Sequence, residues 1–226
     1  MDKRRNGEVL RDTLDLPGKN ILDIGCGDGA LVRMMAKKGA TVVGLEPSEN
    51  QLIKARSAAP IEGAEYLQGS AMDLPFTDQR FDAVVFFNSL HHIPKEGRFQ
   101  SLEEAARVIK SGGVVYICEP VAGGPHFDLM KPVDDETEVR AHAYEQIGRA
   151  VEAGLSQISE IRYEHTVIRE SYEDFRDKII APDPHRKAAF DALDGGLRDA
   201  FEHYSTKTDK GYTFAQPMRV NVLKKA

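Results

Sequence analysis

Ile21-Leu22-Asp23-Ile24-Gly25-Cys26-Gly27-Asp28-Gly29 is the stretch that decides the fold. A short, mostly apolar run ends on glycines. The segment behind it, Ala30 to Lys38, carries Leu31, Met34 and Met35 on one helical face and stops at Gly39. The pattern reads as a buried strand, a tight loop and a helix. Glycines in such a loop let backbone N–H groups approach a ligand that side chains would hold away. They fall here as Gly-x-Gly-x-Gly, not as the Gly-x-Gly-x-x-Gly of dinucleotide sites. Asp23, two residues before the first glycine, can accept hydrogen bonds from a cationic amine and would repel a pyrophosphate. A tight turn with a capping Asp is the purely structural alternative.

The alternation of strand and helix continues outward. Thr41 to Glu46 predicts a second strand, and an acid at its end can accept two ribose hydroxyls at once. Ser48 and Gln51 have capping-box spacing at the start of a helix that runs to about Ala58. Glu65 to Gln68, Phe81 to Phe87 and Val114 to Cys118 read as strands three to five, with a helix from Arg98 to Ile109. The order predicts an α/β fold: a Rossmann-like, seven-stranded, mostly parallel sheet with helices on both faces.

Beyond Pro120 the pattern changes. Residues 121–135 read as a loop, Glu136 to Gly154 as a helix and Ile161 to Arg169 as strand six. Ser171 to Tyr204 reads as helix, interrupted at Ala181-Pro182-Asp183-Pro184 and at Gly195-Gly196, and Met218 to Leu223 as the last strand. With no repeat and no linker, 1–226 reads as one domain: an N-terminal segment 1–19 with a helix over Gly7 to Leu14, a core 20–120, and helical insertions 121–154 and 171–215.

Bulk properties narrow the function. The chain has 226 residues, 41% hydrophobic and 29% charged, with a formal net charge of -6. That is an ordinary globular composition, and its acidity argues against nucleic acid as the main partner. The N-terminus has no apolar core of a signal peptide, and no apolar run is long enough to span a bilayer. Cys26 and Cys118 offer no disulfide framework and no zinc spacing, so both read as reduced thiols of a cytoplasmic protein. The scattered histidines predict no metal site. A homo-oligomer is compatible with the sequence.

Four segments together resemble the class I S-adenosylmethionine-dependent methyltransferases, in particular the small-molecule group (methyltransferase type 11) that includes the ubiquinone and menaquinone C-methyltransferases. They are residues 21–29; Val43-Gly44-Leu45-Glu46-Pro47-Ser48; Gly69-Ser70-Ala71-Met72-Asp73-Leu74-Pro75-Phe76 with Phe81-Asp82-Ala83-Val84; and Ala105-Ala106-Arg107-Val108-Ile109-Lys110-Ser111-Gly112-Gly113. The match covers roughly residues 15–120. The resemblance implies methyl transfer from S-adenosylmethionine, with S-adenosylhomocysteine as product. It places Asp23, Gly25, Cys26 and Gly27 against the methionine part, Glu46 on the ribose, and Pro47, Ser70, Ala71 and Met72 about the adenine. Asn88 falls near the methionine amine. Relatives commonly have Asp or Asn where Ser70 stands, and Ser is shorter.

Methyl transfer from a sulfonium needs alignment above all, and a general base when the acceptor is a hydroxyl or a ring carbon. Asn88-Ser89-Leu90-His91-His92-Ile93 follows the fourth strand at the carboxyl edge, where open α/β sheets bind ligands. His91 is the first candidate base and His92 the second; a structural or substrate-positioning histidine is the alternative. Glu119 and His126 are placed near the same edge by order alone, and read more simply as a satisfied strand-end acid and a solvated loop residue. Phe127, Met130, Tyr144 and Ile147 of the first insertion read equally as a lid or as helix packing. Tyr212, Phe214 and Arg219 are further candidates for an acceptor pocket. The expected acceptor is a small or medium organic molecule. A non-catalytic cofactor-binding scaffold, a nicotinamide-dependent oxidoreductase and a methyltransferase acting on tRNA or protein are the competing readings.

Overall fold

The structure is a computed structural model that describes residues 1–181 and 183–226. Its elements run α1 (Asn6–Thr13), β1 (Asn20–Ile24), α2 (Ala30–Ala36), β2 (Thr41–Glu46), α3 (Glu49–Ser57), β3 (Ala64–Gln68), β4 (Phe81–Phe87), α4 (Arg98–Val108) and β5 (Ile109–Pro120). They continue with α5 (Pro125–Met130), α6 (Thr137–Gly148), β6 (Leu155–Arg169), α7 (Tyr172–Ile180), α8 (Arg186–Tyr204), β7 (Thr206–Thr208) and β8 (Gly211–Lys225). Strand order is β3-β2-β1-β4-β5-β8-β6, with β7 paired to β8. β1 is parallel to β2 and β4, β2 to β3, and β4 to β5, while β7 is antiparallel to β8. The expected sheet is present, with β7 as an eighth short strand. Among the described residues, no helix is long and apolar enough to cross a membrane.

The chain forms two compact units. The larger comprises Gly7–Glu119, Val139–Ile161 and Arg219–Ala226. Its strands alternate by the two-residue period of a pleated sheet. Leu22 and Ile24 lie level with Val43 and Leu45 on one side and with Val84 and Phe86 on the other. These six share a core with Val115, Ile117, the α4 residues Leu102, Ala105 and Ala106, and the α6 residues Ala143 and Ile147. Each fully buried aliphatic side chain of this kind stabilises by about 1.5–3 kcal/mol. Ile147 is therefore core packing rather than a lid surface, whereas Tyr144 is exposed.

The smaller unit comprises Met1–Asn6, Pro120–Glu138 and Arg162–Met218. Phe175 lies at the centre of an aromatic cluster there, its ring centroid 5.7 Å from Phe190, 5.6 Å from Phe201 and 6.4 Å from Phe214. Leu129, Tyr172 and Leu197 complete the cluster.

Several boundaries differ from the sequence reading. Residues 125–130 form α5, not loop: Pro125 occupies the first turn, where its missing N–H costs nothing. β5 begins at Ile109, because Gly112 and Gly113 sit in a register irregularity inside the strand rather than in a turn before it. Ser48 does precede α3, but its side chain makes no capping hydrogen bond. α8 runs unbroken through Gly195 and Gly196, held by buried Phe190, Leu197 and Phe201. β6 and β8 are both longer than read, each 15 residues. Of the predicted break at 181–184, Pro182 lies outside the described residues.

Candidate active site

The parallel register aligns the carboxyl ends of β1 to β5. Ile24 is level with Leu45 and Phe86, Glu46 with Gln68, and Phe87 with Cys118. The segments that follow β1 to β4, together with Glu119 at the end of β5, therefore gather at one edge of the larger unit. Residues 25–29 are tied there by backbone bonds from Gly25 N and Cys26 N to Leu45 O, at 2.8 and 3.1 Å.

Two glycines in this loop are required for different reasons. Gly25 has φ +74°, and a Cβ on it would stand 2.5 Å from Ser89 Cβ. Gly27 has φ +54°, and among the described residues a Cβ there would meet nothing within 4 Å apart from its chain neighbours. The first glycine lets β4's exit loop pack; the second faces open space. Cys26 turns its side chain inward, close enough to Gly44 that a Cβ on that glycine would lie 2.7 Å from the sulfur. Burial, with the nearby Asp23 and Glu46 charges, pushes its thiol pKa up, so it is a packing group rather than a nucleophile. What Cys26 offers the loop is its backbone.

Asp23 is 1% exposed, and among the described residues neither carboxylate oxygen has a hydrogen-bond partner. Burial first, and the charge of Glu46 second, push its pKa up to about 7. A buried carboxylate without partners is costly, and native structures rarely keep one without a use for it. Glu46 is 8% exposed and satisfied: Gly27 N donates to Oε2 at 2.9 Å and Ser48 N to Oε1 at 3.0 Å. Each oxygen retains a second lone pair for a ligand hydroxyl.

The remaining predicted residues frame this loop. Pro47 is exposed, and its carbonyl accepts from Gln68 Nε2 at 3.2 Å. Ser70, Ala71 and Met72 are half-buried. Ser70 Oγ accepts from Met72 N at 3.2 Å, and Gln100 Nε2 donates to Met72 O at 2.8 Å. Behind them Arg107 bonds Leu74 O at 2.9 Å and Phe76 O at 2.7 Å, while Glu104 accepts from Leu74 N at 2.7 Å. Segments 69–76 and 105–113, far apart in sequence, are thus one structural latch.

Asn88 is exposed and holds φ +53°, a left-handed conformation that turns the chain sharply out of β4. Its N–H donates to Cys118 O at 2.8 Å. Ser89 Oγ donates to Ile24 O at 2.6 Å, which fixes this turn against the glycine loop. His91 is buried and pairs through Nδ1 with Glu119 Oε2. The other Glu119 oxygen accepts from Leu90 N at 3.0 Å. His92 is exposed, its ring centroid 4.0 Å from that of His91.

Glu119, placed at this edge only by strand order, is thus a direct partner of the first candidate base. Arg98, which sequence reasoning passed over, is 3% exposed and caps backbone carbonyls: His91 O at 2.7 Å, Ile93 O at 2.8 Å and Val139 O at 3.1 Å. An arginine at the head of an amphipathic helix carries no signal that separates it from a solvated one.

The other candidates fall elsewhere. His126 belongs to the smaller unit, where its Nδ1 lies 3.1 Å from Gln216 Oε1. Phe214 is buried in the aromatic cluster and Tyr212 packs on it. Arg219 stacks over Tyr144, 3.5 Å from the ring centroid, and bonds Asn221.

The family described as "Methyltransferase domain" matches residues 22–117. The methyltransferase GfsG of Streptomyces halstedii is 38% identical over 135 residues, covering 57% of this chain and 48% of that protein. The fatty-acid O-methyltransferase of Mycolicibacterium smegmatis is 40% identical over 101 residues, covering 44% and 36%. The demethylmenaquinone methyltransferase of Clavibacter sepedonicus is 32% identical over 162 residues, covering 66% and 64%. The chain spans less than two thirds of the length of these relatives. Among solved structures, the YcgJ protein of Bacillus subtilis aligns with TM-score 0.65 at 19% identity, over 97% of this chain and 98% of that one. The [4+2]-cyclase SpnF aligns with TM-score 0.64 at 19% identity, over 97% and 79%. These two likenesses concern the fold alone, and the cyclase illustrates that one fold serves more than one reaction.

Proposed function

We propose, since residues 22–117 match the family described as "Methyltransferase domain", that the chain binds S-adenosylmethionine and transfers its methyl group to a small or medium organic acceptor. The observation that carries this reading is Asp23. Its buried carboxylate, without a hydrogen-bond partner among the described residues, lies at the foot of a glycine loop whose Gly27 faces open space. A ligand with a cationic amine satisfies that carboxylate, whereas a pyrophosphate meets repulsion. The residues present therefore fit the group.

Asp23, Gly25, Gly27 and the backbone of Cys26 hold the methionine part, with Asn88 beside its amine. Glu46 takes the ribose hydroxyls on its free lone pairs, and Pro47, Ser70, Ala71 and Met72 wall the adenine. When bound, the cofactor supplies a methyl group already activated for displacement by an acceptor lone pair, leaving a neutral thioether. His91, with exposed His92 beside it, is the candidate proton acceptor. The reduced thiols of Cys26 and Cys118 suit a cytoplasmic setting. We treat 1–226 as one working methyltransferase domain.

Incubation of the protein with methyl-labelled S-adenosylmethionine and a small-molecule cell extract tests this reading. The expected result is label in a low-mass product, lost in Asp23→Ala. Label appearing only in tRNA or protein, or no label at all, sinks the proposal.

A further inference from the structure

We propose that His142 of α6 is a positioning residue: as a neutral ring it anchors Arg98, and through Arg98 the 90–93 turn at the carboxyl edge, and protonation of the ring undoes that anchor.

Arg98 directs its N–H groups at four acceptors. Nη2 donates to His91 O at 2.7 Å, Nε to Ile93 O at 2.8 Å, and Nη1 to Val139 O and His142 Nδ1, both at 3.1 Å. Two of these belong to the turn and two to α6, so one buried guanidinium ties the turn to the helix. A guanidinium stays charged and only donates. His142 Nδ1 therefore carries the lone pair, and the neutral ring has its proton on Nε2. That nitrogen lies 3.3 Å from the side-chain amide of Gln146, which can turn its oxygen to accept. Arg149, which the oxygen then leaves, keeps both oxygens of Glu152. A protonated His142 has no lone pair left. Its Nδ1–H would point at the Arg98 N–H, cation against cation in a half-buried place.

The surroundings of the ring favour its neutral form. Arg98 of α4 and Lys95 of the Lys95–Gly97 turn face it, opposed by Glu96 of that turn and by Glu145 on its own helix. Burial first, and Arg98 second, hold its pKa below the ordinary 6.5. A ring released from Arg98 takes up a proton at higher pH than the anchored one. The anchor therefore weakens as pH falls below 6.5 and is at full strength above it.

Long-range proton–nitrogen spectra of ¹⁵N-histidine-labelled protein, taken from pH 8 to pH 5, read the tautomer and titration of His142, whose signals are those missing from His142→Asn and His142→Leu. The expected ring is Nε2–H at pH 8 and titrates below 6.5. Hydrogen-exchange protection over residues 141–144 should fall in the wild type by up to about tenfold per pH unit below 6.5. His142→Asn puts an amide oxygen that does not titrate where Nδ1 stood, so its protection should hold level. His142→Leu, with no acceptor, should be low throughout. Asp23 titrates in the same range in all three proteins and cancels from the comparison. A wild-type ring that is Nδ1–H, or that titrates at 6.5 or above, overturns the inference. Equal acid loss in His142→Asn does so too, as does wild-type protection in His142→Leu at pH 8. Should one variant not fold, the wild-type spectra and the other variant decide. Labelled-methyl incorporation into the extract should follow the same order in acid; its absence from all three contradicts the methyltransferase reading and leaves the exchange result standing.

Discussion

Replacing Gly25 and Gly27 by alanine, one at a time, separates the structural from the ligand-facing role of the loop. Both residues have positive φ, +74° and +54°, which costs an alanine about 1–2 kcal/mol. At Gly27 that strain is the whole penalty, since among the described residues a methyl group there meets nothing within 4 Å apart from its chain neighbours. At Gly25 the methyl would lie 2.5 Å from Ser89 Cβ, and Ser89 cannot step aside while its hydroxyl holds Ile24 O. Overpacking of that kind adds about 1–3 kcal/mol. For a chain of this size each kcal/mol lowers Tm by about 2–4 °C. At about 3 °C per kcal/mol, Gly27→Ala should therefore lose about 3–6 °C and Gly25→Ala about 6–15 °C in a thermal melt. Titration with S-adenosylhomocysteine reverses the order. Gly27→Ala puts a methyl group where the ligand lies and loses binding, while Gly25→Ala, measured at a temperature where it is folded, keeps most of it. Equal destabilisation by the two, or wild-type affinity in Gly27→Ala, refutes the reasoning.

The pKa of Asp23, pushed up to about 7 from an ordinary 3.8, has consequences of known sign. Between those values the native state holds a proton that the unfolded chain has lost, so stability of the ligand-free protein falls as pH rises through that window. Asp23→Asn should flatten the slope in urea melts run at several pH values. Affinity for S-adenosylhomocysteine, whose amine wants the ionised carboxylate, should rise from pH 6 to pH 8 in the wild type and stay flat in Asp23→Asn. Arg98→Met strips charged hydrogen bonds from the carbonyls of His91, Ile93 and Val139 and should cost about 3 kcal/mol or more by urea unfolding. Arg107→Ala releases Leu74 O and Phe76 O and should cost about 2 kcal/mol while weakening S-adenosylhomocysteine binding, because segment 70–76 loses its latch.

The parts of the fold that were legible are those whose signals are local. A strand ending on Gly25 and Gly27, an acid closing β2, and apolar alternation in β1, β2 and β4 each follow from a few adjacent residues. α5 was hidden because Gly, Pro and Asp also compose loops, although Pro125 in a first turn is as good a helix signal as a loop one. Gly195 and Gly196 misled because each costs a helix about 1 kcal/mol, a penalty that burial of Phe190, Leu197 and Phe201 overrides. The candidate site divides the same way. Asp23, Glu46 and His91 stood out by position, whereas the pairing of His91 with Glu119 depends on the β4–β5 register. That register sets Phe87 beside Cys118 and so brings the two following segments together. The roles of Arg98 and Arg107 depend on which carbonyls lie within reach, and side-chain periodicity does not encode that.

Isothermal titration of the full chain with S-adenosylhomocysteine and, separately, with NAD tests the central claim most directly. The account predicts one S-adenosylhomocysteine bound per chain, binding that is lost in Asp23→Ala, and no heat with NAD. Binding of NAD alone, or of neither ligand by well-folded protein, contradicts it.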